Sequence, residues 1–144
     1  MWRFNDFEAG QLIQLGQYRL TAEEIIEFGS RYDPQPMHTD PVAAAHSPMG
    51  ELIASGWHSC AIAMRLLCDA FITDSTSVAA PGVDRVRWLA PVRPGDTVSG
   101  QCRIQATRLS RSKPDRGVVT AEVSLQRQDT VEVLRMETTA FYLV

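Results

Sequence analysis

The feature that most constrains this fold is one apolar run near the middle of the chain. From Gly56 to Thr73 the sequence reads GWHSCAIAMRLLCDAFIT, with no proline and no further glycine. Apolar residues occupy most of the circumference that a helix of this length would present, which is typical of a helix in a protein interior. We therefore predict a long central helix that is buried on nearly all sides and needs another layer to surround it.

The residues after the helix supply that layer. Beyond residue 77 the hydrophobic period changes from helical to alternating. Two segments have regularly spaced small or apolar residues, which are Val98, Cys102, Ile104 and Ala106 in the first and Val119, Ala121, Val123 and Leu125 in the second. Such alternation is typical of antiparallel strands with one covered face. A phase change near Val133 and Leu134 indicates a bulge or burial on both faces. We predict an α+β fold, one domain over residues 1–144, with an antiparallel sheet wrapped around the central helix.

The N-terminal part adds shorter elements. QLIQLGQYRL predicts a short strand, and TAEE after it is a capping box in which Thr21 and Glu24 bond each other's backbone amides. Apolar residues then repeat at helical spacing, which predicts a helix over residues 22–32. Asp40 followed by Pro41 predicts an N-cap and first position of another brief helical turn.

Composition and charge argue against some classes of partner and of cellular location. The chain has 144 residues and a formal net charge of −3, which argues against a nucleic-acid partner. Three cysteines form no CxxC pair, which predicts reduced thiols in a reducing compartment. We expect no signal peptide, because the first ten residues contain no apolar h-region. The longest apolar stretch, 52–72, contains His58, Arg65 and Asp69 and would span a membrane poorly. We expect a cytoplasmic protein with no membrane partner.

The segment YDPQPMHTDP, residues 32–41, combines three prolines with Asp33 and His38. It has two readings: a turn in which Asp and Pro serve only backbone geometry, or a stiff loop that presents two titratable groups to one small space. His46 and His58 are expected to be structural histidines. No HxxxH or CxxC spacing accompanies them, so we predict no metal site.

Residues 28–56 resemble the MaoC-like dehydratases, the (R)-specific enoyl-CoA hydratase branch of the hotdog-fold superfamily. That family's signature runs roughly Gly, Asp, x, Asn, Pro, x, His, x, Asp before a glycine-opened helix. Here DPQPMHTD places Asp33, Pro36, His38 and Asp40 in register. VRWLAPVRPGDTVSG also looks like the family's strand–turn–strand around a Pro-Val-x-Pro-Gly-Asp turn. Together the two resemblances cover most of residues 20–108.

Three positions depart from the family's pattern. Gln35 stands where the family usually has asparagine, Tyr32 replaces the glycine before the aspartate, and Pro34 follows that aspartate. The acid and the histidine are retained. We therefore expect the departures to affect loop geometry and substrate preference more than the catalytic pair.

The resemblance implies a hotdog fold and the addition of water to a trans-2-enoyl thioester. Asp33 and His38 would hold and deprotonate the water and return a proton, which suits histidine because its proton exchange falls near neutral pH. The N–H of Gly56, at the start of the central helix, would stabilise the negative charge on the thioester oxygen. From the residues alone, helix initiation or close packing is the preferred explanation of Gly56. No cofactor is expected beyond the coenzyme A of the acyl-CoA substrate.

The family also implies assembly, because two hotdogs join their sheets and build the active site between them. We expect a homodimer or a higher homo-oligomer. Coenzyme A carries phosphates, and the basic residues that flank the Pro-Gly turn and the predicted hairpin are Arg85, Arg87, Arg93, Arg108, Arg111, Lys113 and Arg116. Exposed cations at strand ends are usually only solvated, so no binding residue is assigned among them.

Two other functions stay open at this point. Hotdog proteins include acyl-CoA thioesterases, which commonly use an acidic residue on or near the central helix, and Glu51 and Asp69 are available for that role. Alternatively, Gln35 marks a hotdog domain that only binds acyl thioesters or partners a catalytic subunit. The prolines and the retained Asp33–His38 pair favour the hydratase.

Overall fold

A five-stranded antiparallel sheet forms the framework of the computed structural model, which describes residues 1–144. In chain order the strands are β1 (Leu12–Arg19), β2 (Ser77–Trp88), β3 (Thr97–Leu109), β4 (Arg116–Arg127) and β5 (Glu132–Leu143). Their order across the sheet is β1-β3-β4-β5-β2. The predicted antiparallel sheet after residue 77 is confirmed, and the N-terminal strand joins it at one edge.

Four helices lie between β1 and β2. They are α1 (Ala22–Tyr32), α2 (Pro36–Thr39), α3 (Pro41–Ala45) and α4 (Gly56–Ala70). The central helix α4 begins where it was predicted but ends three residues early. Phe71 leaves the helical conformation, with φ −158° and ψ −27°, and the chain continues as a 3-10 turn. None of these helices is both long and apolar enough to cross a membrane.

One hydrophobic cluster joins α4 to the sheet. Ile62, Ala63, Leu66 and Leu67 of α4 are buried in the same cluster as Val119, Ala121, Val123 and Leu125 of β4. The alternation predicted for β4 is confirmed, because its polar residues are less buried than these. The α+β class and the hotdog arrangement, a sheet wrapped around a central helix, are confirmed.

Two irregularities in the strands change the register. In β3 the pairing shifts between Ile104 and Ala106, and Ala106 is exposed instead of facing the core. The prediction for Ala106 is therefore wrong, because a bulge interrupts the alternation. In β5 the partner of Leu125 is Leu134 whereas that of Gln126 is Glu132, so Val133 is the extra residue, and both Val133 and Leu134 are buried. The predicted irregularity near them is confirmed.

A single chain leaves one face of α4 and the β2 edge of the sheet exposed. Trp57 and Met64 on α4 are 59% and 46% exposed, so the expectation that this helix is buried on nearly all sides is wrong for one chain. Strand β2 lies at the edge of the sheet and is exposed along almost its whole length. Its apolar residues Val83 and Trp88 are 49% and 47% exposed. Both features are surfaces that a protein normally covers.

The predicted helix caps are partly confirmed. Thr21 Oγ1 accepts a hydrogen bond from the amide of Glu24 at 3.2 Å. Glu24 does not reach back, because its Oε1 accepts from the hydroxyl of Tyr18 at 3.0 Å. Asp40 caps α3 as predicted, and its Oδ1 accepts from the amides of Val42 and Ala43.

The three cysteines are free thiols. Cys102 lies in the core, and burial raises the pKa of its thiol to about 12, so it stays protonated. Cys60 and Cys68 on α4 are half-buried. Burial also raises the pKa of Cys60. Neither Cys60 nor Cys102 therefore has the lowered pKa that marks a nucleophilic cysteine.

Candidate active site

Two proline-containing turns after α1 bring Asp33 and His38 together. The amide of Asp33 caps α1 by donating to the carbonyl of Gly29 at 2.9 Å, and Pro36 then opens the short helix α2 that carries His38. Pro34 and Pro36 fix two backbone φ angles in this segment, which lowers the entropy cost of ordering it. The loop therefore holds both side chains in place.

Gly29 allows α1 and α2 to approach each other closely. A Cβ at this position would lie 2.5 Å from the backbone oxygen of His38 and 2.9 Å from its Cβ. Any other residue would push α2 away from α1, because the clash is with backbone and not with a flexible side chain. The position of His38 thus depends on a glycine nine residues earlier in the chain.

The imidazole of His38 and the carboxylate of Asp33 form a pair. His38 Nε2 lies 3.4 Å from Asp33 Oδ2, and the two side chains are 5% and 18% exposed. His38 Nδ1 lies 2.8 Å from the carbonyl oxygen of Ile53. Because a carbonyl can only accept, we assign the proton of the neutral ring to Nδ1, which leaves a lone pair on Nε2. When the ring is in this neutral form, Nε2 of His38 and Oδ2 of ionised Asp33 are two neighbouring hydrogen-bond acceptors.

Two acceptors side by side are suited to one water molecule, which has two hydrogens to donate. A water normally lies about 2.8 Å from each acceptor. The 3.4 Å between His38 Nε2 and Asp33 Oδ2 is too short to hold a water on the line between them. A water that bridges the two acceptors therefore belongs beside the line that joins them.

Two further donors hold the carboxylate of Asp33. Gln35 Nε2 donates to Oδ1 at 2.7 Å, and Ser55 Oγ donates to Oδ2 at 2.7 Å. These bonds lower the pKa of Asp33, with the one from Gln35 the largest cause, the one from Ser55 next, and the charge of His38 a smaller contribution. Asp33 is therefore a carboxylate at neutral pH and can accept a proton.

The start of α4 forms the other side of the site. Ser55 is the N-cap, and its Oγ accepts from the amide of Trp57 at 3.2 Å. Gly56 is the first helical residue, so its amide has no acceptor one turn earlier within the helix. A Cβ at Gly56 would lie 2.4 Å from the indole ring of Trp88. A side chain at this position would force the half-exposed ring of Trp88 to move, so glycine permits this close packing.

All three residues predicted as catalytic, Asp33, His38 and Gly56, line one cavity of about 470 Å³. Most of its other walls are apolar and come from the α2 region, from Trp57 on α4, and from the segment after β2. Trp88 and Leu89 on its rim are 47% and 50% exposed. An apolar cavity with a few convergent polar groups at one end is the usual form of a small-molecule site.

Comparison with known proteins identifies the family of this chain. The family described as MaoC like domain matches residues 7–127. The chain belongs to the MaoC-like family. It is 24% identical to the uncharacterised protein YdeM of Bacillus subtilis (strain 168) over 135 residues, 94% of each chain. The solved MaoC-like dehydratase from Rhodospirillum rubrum is 33% identical, with a TM-score of 0.92, over 99% of this chain and 97% of that one. The (R)-hydratase from A. caviae involved in PHA biosynthesis shares the fold, with 24% identity and a TM-score of 0.76 over 96% and 98% of the chains.

The two acids of the thioesterase alternative lie elsewhere in this MaoC-like domain. Glu51 forms an ion pair with Arg93 and does not line the cavity. Asp69 pairs with Arg65 at 2.9 Å, one turn apart on the exposed face of α4. Neither carboxylate is placed to attack or activate a group bound beside Asp33.

The two remaining histidines also lie outside the cavity. His46 is exposed, and its Nδ1 lies 2.8 Å from the carbonyl of Val42. His58 is 7% exposed and stacks on the ring of Phe28, with centroids 4.5 Å apart and planes within 5°. Burial lowers the pKa of His58, against a smaller opposing effect of Glu24. Their surroundings are those of structural histidines.

The predicted cations divide into two groups. Arg93 and Arg85 are paired with Glu51 and Glu137 near β2 and its following turn. The other predicted basic residues in the hairpin region lie around the β3–β4 turn. Arg116, at the start of β4, is nine residues from Leu125 on the same strand. Leu125 pairs with Leu134, which in turn pairs with Trp88 at the cavity. Nine residues of strand span about 30 Å. The hairpin cations therefore lie far from the cavity of their own chain.

Sequence reasoning missed two contributors to the site, Ser55 and Trp88. A signal for Ser55 was present, because serine directly before a helix start is a preferred N-cap. Nothing in the sequence indicated that its hydroxyl also reaches Asp33, 22 residues away. The contact of Trp88 with Gly56 joins two elements that only the sheet topology brings together.

Proposed function

We propose that this MaoC-like domain is a hydro-lyase that adds water to trans-2-enoyl-CoA to give (R)-3-hydroxyacyl-CoA, or catalyses the reverse dehydration. The observation that carries the proposal is the pair of acceptors, Asp33 Oδ2 and His38 Nε2, 3.4 Å apart at the polar end of an apolar cavity. The likeness to the dehydratase from Rhodospirillum rubrum supports the same reaction class.

In the hydration direction, a water bridging Asp33 and His38 donates one hydrogen bond to each. As its oxygen forms a bond to the β-carbon, one proton passes to the pair, and the electrons of the double bond move toward the thioester oxygen. The resulting enolate takes a proton at the α-carbon from the pair, which restores both groups. Because Asp33 Oδ2 and His38 Nε2 lie 3.4 Å apart, we assign the proton to the pair and not to one residue.

The charge on the thioester oxygen needs a donor in the cavity wall. The amide of Gly56 is suited to this role because it opens α4 and has no acceptor one turn earlier in the helix. The positive end of the helix dipole lies at the same point and favours a developing negative charge. The apolar walls would hold the acyl chain and limit the access of other water molecules.

We also propose that the working form is a homodimer joined through β2. Supporting this are the exposed edge of that strand, the exposed residues Trp57 and Met64 of α4, and the open rim of the cavity next to Trp88. Sedimentation at micromolar concentration should give a dimer or a larger species. A monomer as the only species would contradict the proposed assembly.

The test of the reaction is a panel of trans-2-enoyl-CoA substrates of increasing chain length. Loss of the conjugated absorbance and release of free thiol are followed in parallel. A hydratase removes the absorbance without producing thiol, and we expect that result for at least one chain length. Thiol release would support the thioesterase alternative, and tight binding without turnover would support a domain that only binds acyl thioesters.

A further inference from the structure

Ser55 connects the two sides of the site without touching the cavity. It is 0% exposed and does not contribute to the cavity wall. Its Oγ donates to Asp33 Oδ2 at 2.7 Å and accepts from the amide of Trp57 at 3.2 Å. Since a serine hydroxyl has one hydrogen to donate, these two contacts fix its direction, with the proton toward Asp33.

We propose that Ser55 is a positioning residue that fixes the carboxylate of Asp33 relative to the amide of Gly56, so that the groups activating water and stabilising charge keep one geometry. The catalytic part of this inference rests on the proposed hydration. The structural part, a carboxylate whose ionisation depends on a buried hydroxyl, does not.

The peptide bond between Ser55 and Gly56 couples the position of one residue to that of the other. Ser55 and Gly56 share a planar peptide bond, so a side chain anchored on Ser55 is held close to the start of α4. The bond from Ser55 Oγ to Asp33 is charge-assisted, the stronger class of hydrogen bond, and lies out of contact with water. It links the loop that follows α1 to the helix that opens at Gly56.

Ser55 also accepts hydrogen bonds from most of the amides at the start of α4. Ser55 Oγ accepts from Trp57, and the carbonyl oxygen of Ser55 accepts from His58 and Ser59 at 3.0 and 3.2 Å. Three of the first four amides of the helix are therefore bonded to Ser55. Gly56 is the remaining one, so Ser55 also determines which amide can serve the substrate.

The two donors to Asp33 differ in their exposure to solvent. Gln35 is the larger cause of its lowered pKa, but Gln35 is exposed, and water can replace its amide. Ser55 is sealed from solvent, so no water can take over its bond when the hydroxyl is removed. Loss of Ser55 should therefore disturb Asp33 in a way that solvent does not repair.

The experiment uses the full chain with Ser55→Ala and Ser55→Gly, and Thr21→Ala as the matched control. Glycine is tolerated at an N-cap, so Ser55→Gly removes the hydroxyl with little loss of helix capping. Thr21 caps α1 in the same manner but has no bond to a catalytic carboxylate. The readouts are the ¹³C titration of the Asp33 carboxyl, assigned by its absence in Asp33→Asn, and kcat and KM for hydration.

Both Ser55 variants should raise the pKa of Asp33 toward its ordinary value and shift the acid limb of the rate profile in the same direction. They should lower kcat by on the order of 10- to 100-fold, the loss expected for a hydrogen bond to a charged group, with little change in KM. Thr21→Ala should change neither. An unchanged Asp33 titration, or an equal loss of kcat in Thr21→Ala, would overturn the inference.

A second measurement, on the unsubstituted protein, does not depend on the folding of the Ser55 variants. Because Trp57 donates to the same hydroxyl that bonds Asp33, its amide shift should follow the ionisation of Asp33. That response should disappear in Asp33→Asn. A Trp57 amide that ignores the titration would refute the link, whereas absent hydration with an intact link would refute only the proposed reaction.

Discussion

Helix α1 contacts two clusters that share the same inventory of a histidine, a carboxylate and a hydroxyl. They are His38, Asp33 and Ser55 at the cavity, and His58, Glu24 and Tyr18 away from it. The first cluster meets α1 through Gly29 and the second through Phe28, the residue before it. Residue type alone therefore does not separate a candidate reaction centre from a structural cluster.

The two clusters differ in the state of their polar atoms. Asp33 accepts hydrogen bonds on both oxygens, and Nδ1 of His38 is bonded, so the remaining acceptors of the pair are free to serve a water. In the other cluster Glu24 Oε2 and His58 Nδ1 are buried without a partner in the protein. An imidazole covered by an aromatic ring and excluded from the cavity cannot reach a substrate. Access and completed hydrogen bonds distinguish the two.

The largest expected effect is a loss of activity when the carboxylate of the cavity cluster becomes an amide, whereas the same change in the other cluster should have no effect. Asp33→Asn should lower the hydration rate by on the order of 10²–10⁴-fold, the usual contribution of general acid–base catalysis, because an amide cannot take the proton. Glu24→Gln is the matched control and should leave kcat unchanged. Steady-state kinetics with one enoyl-CoA measures both, and a comparable loss in Glu24→Gln would abolish the distinction.

The histidines provide an equivalent pair. His38→Gln should lose activity on the same scale as Asp33→Asn, whereas His58→Gln should keep kcat. Because Asp33 and His38 act as a unit, the double variant should be little worse than either single one. Additive losses would mean that the two groups act in separate steps.

A smaller effect is expected from the contact that places His38. Gly29→Ala puts a Cβ 2.5 Å from the backbone oxygen of His38, so α2 must move. Overpacking of this kind typically costs about 1–3 kcal/mol. Thermal unfolding should show that loss, together with reduced kcat. Ser30→Ala, on the exposed side of the same helix, should stay within about 0.5 kcal/mol of the original protein; equal effects would contradict the close contact.

The smallest effect is a pH dependence of stability that comes from the second cluster. Burial lowers the pKa of His58 below its unfolded value of about 6.5. As the pH falls from that value toward the lowered one, the unfolded chain binds the proton more readily, so the free energy of unfolding decreases. The slope cannot exceed about 1.4 kcal/mol per pH unit for one proton. His58→Phe keeps the ring stack and should remove this contribution; identical denaturation profiles against pH would disprove it.

Local patterns predicted most of the framework. The central helix, the strand alternation and the cap at Thr21 depend on neighbouring residues, and they appear where the sequence indicated. The pair Asp33 and His38 was found because a short stiff segment carries both groups. Errors arose where a distant partner decides: Tyr18 takes the carboxylate of Glu24, and a bulge turns Ala106 outward.

Contacts between distant residues also explain which features of the site could not be predicted from the sequence. The tautomer of His38 depends on the carbonyl of Ile53, 15 residues later, and the ionisation of Asp33 depends partly on Ser55. Neither contact follows from spacing, because each requires the loop after α1 and the start of α4 to meet. Motif recognition identified the candidate pair, whereas the hydrogen bonds that hold each side chain come from tertiary contacts.

The most direct test of the central claim follows the fate of a labelled water. The full chain is incubated with trans-2-enoyl-CoA in H₂¹⁸O, and the acyl-CoA product is examined by mass spectrometry. We predict one ¹⁸O in the 3-hydroxyl group, an intact thioester, and loss of this product in Asp33→Asn and His38→Gln. Label in a released carboxylic acid, or equal labelling in Asp33→Asn, would contradict the assignment of Asp33 and His38 as the water-activating pair.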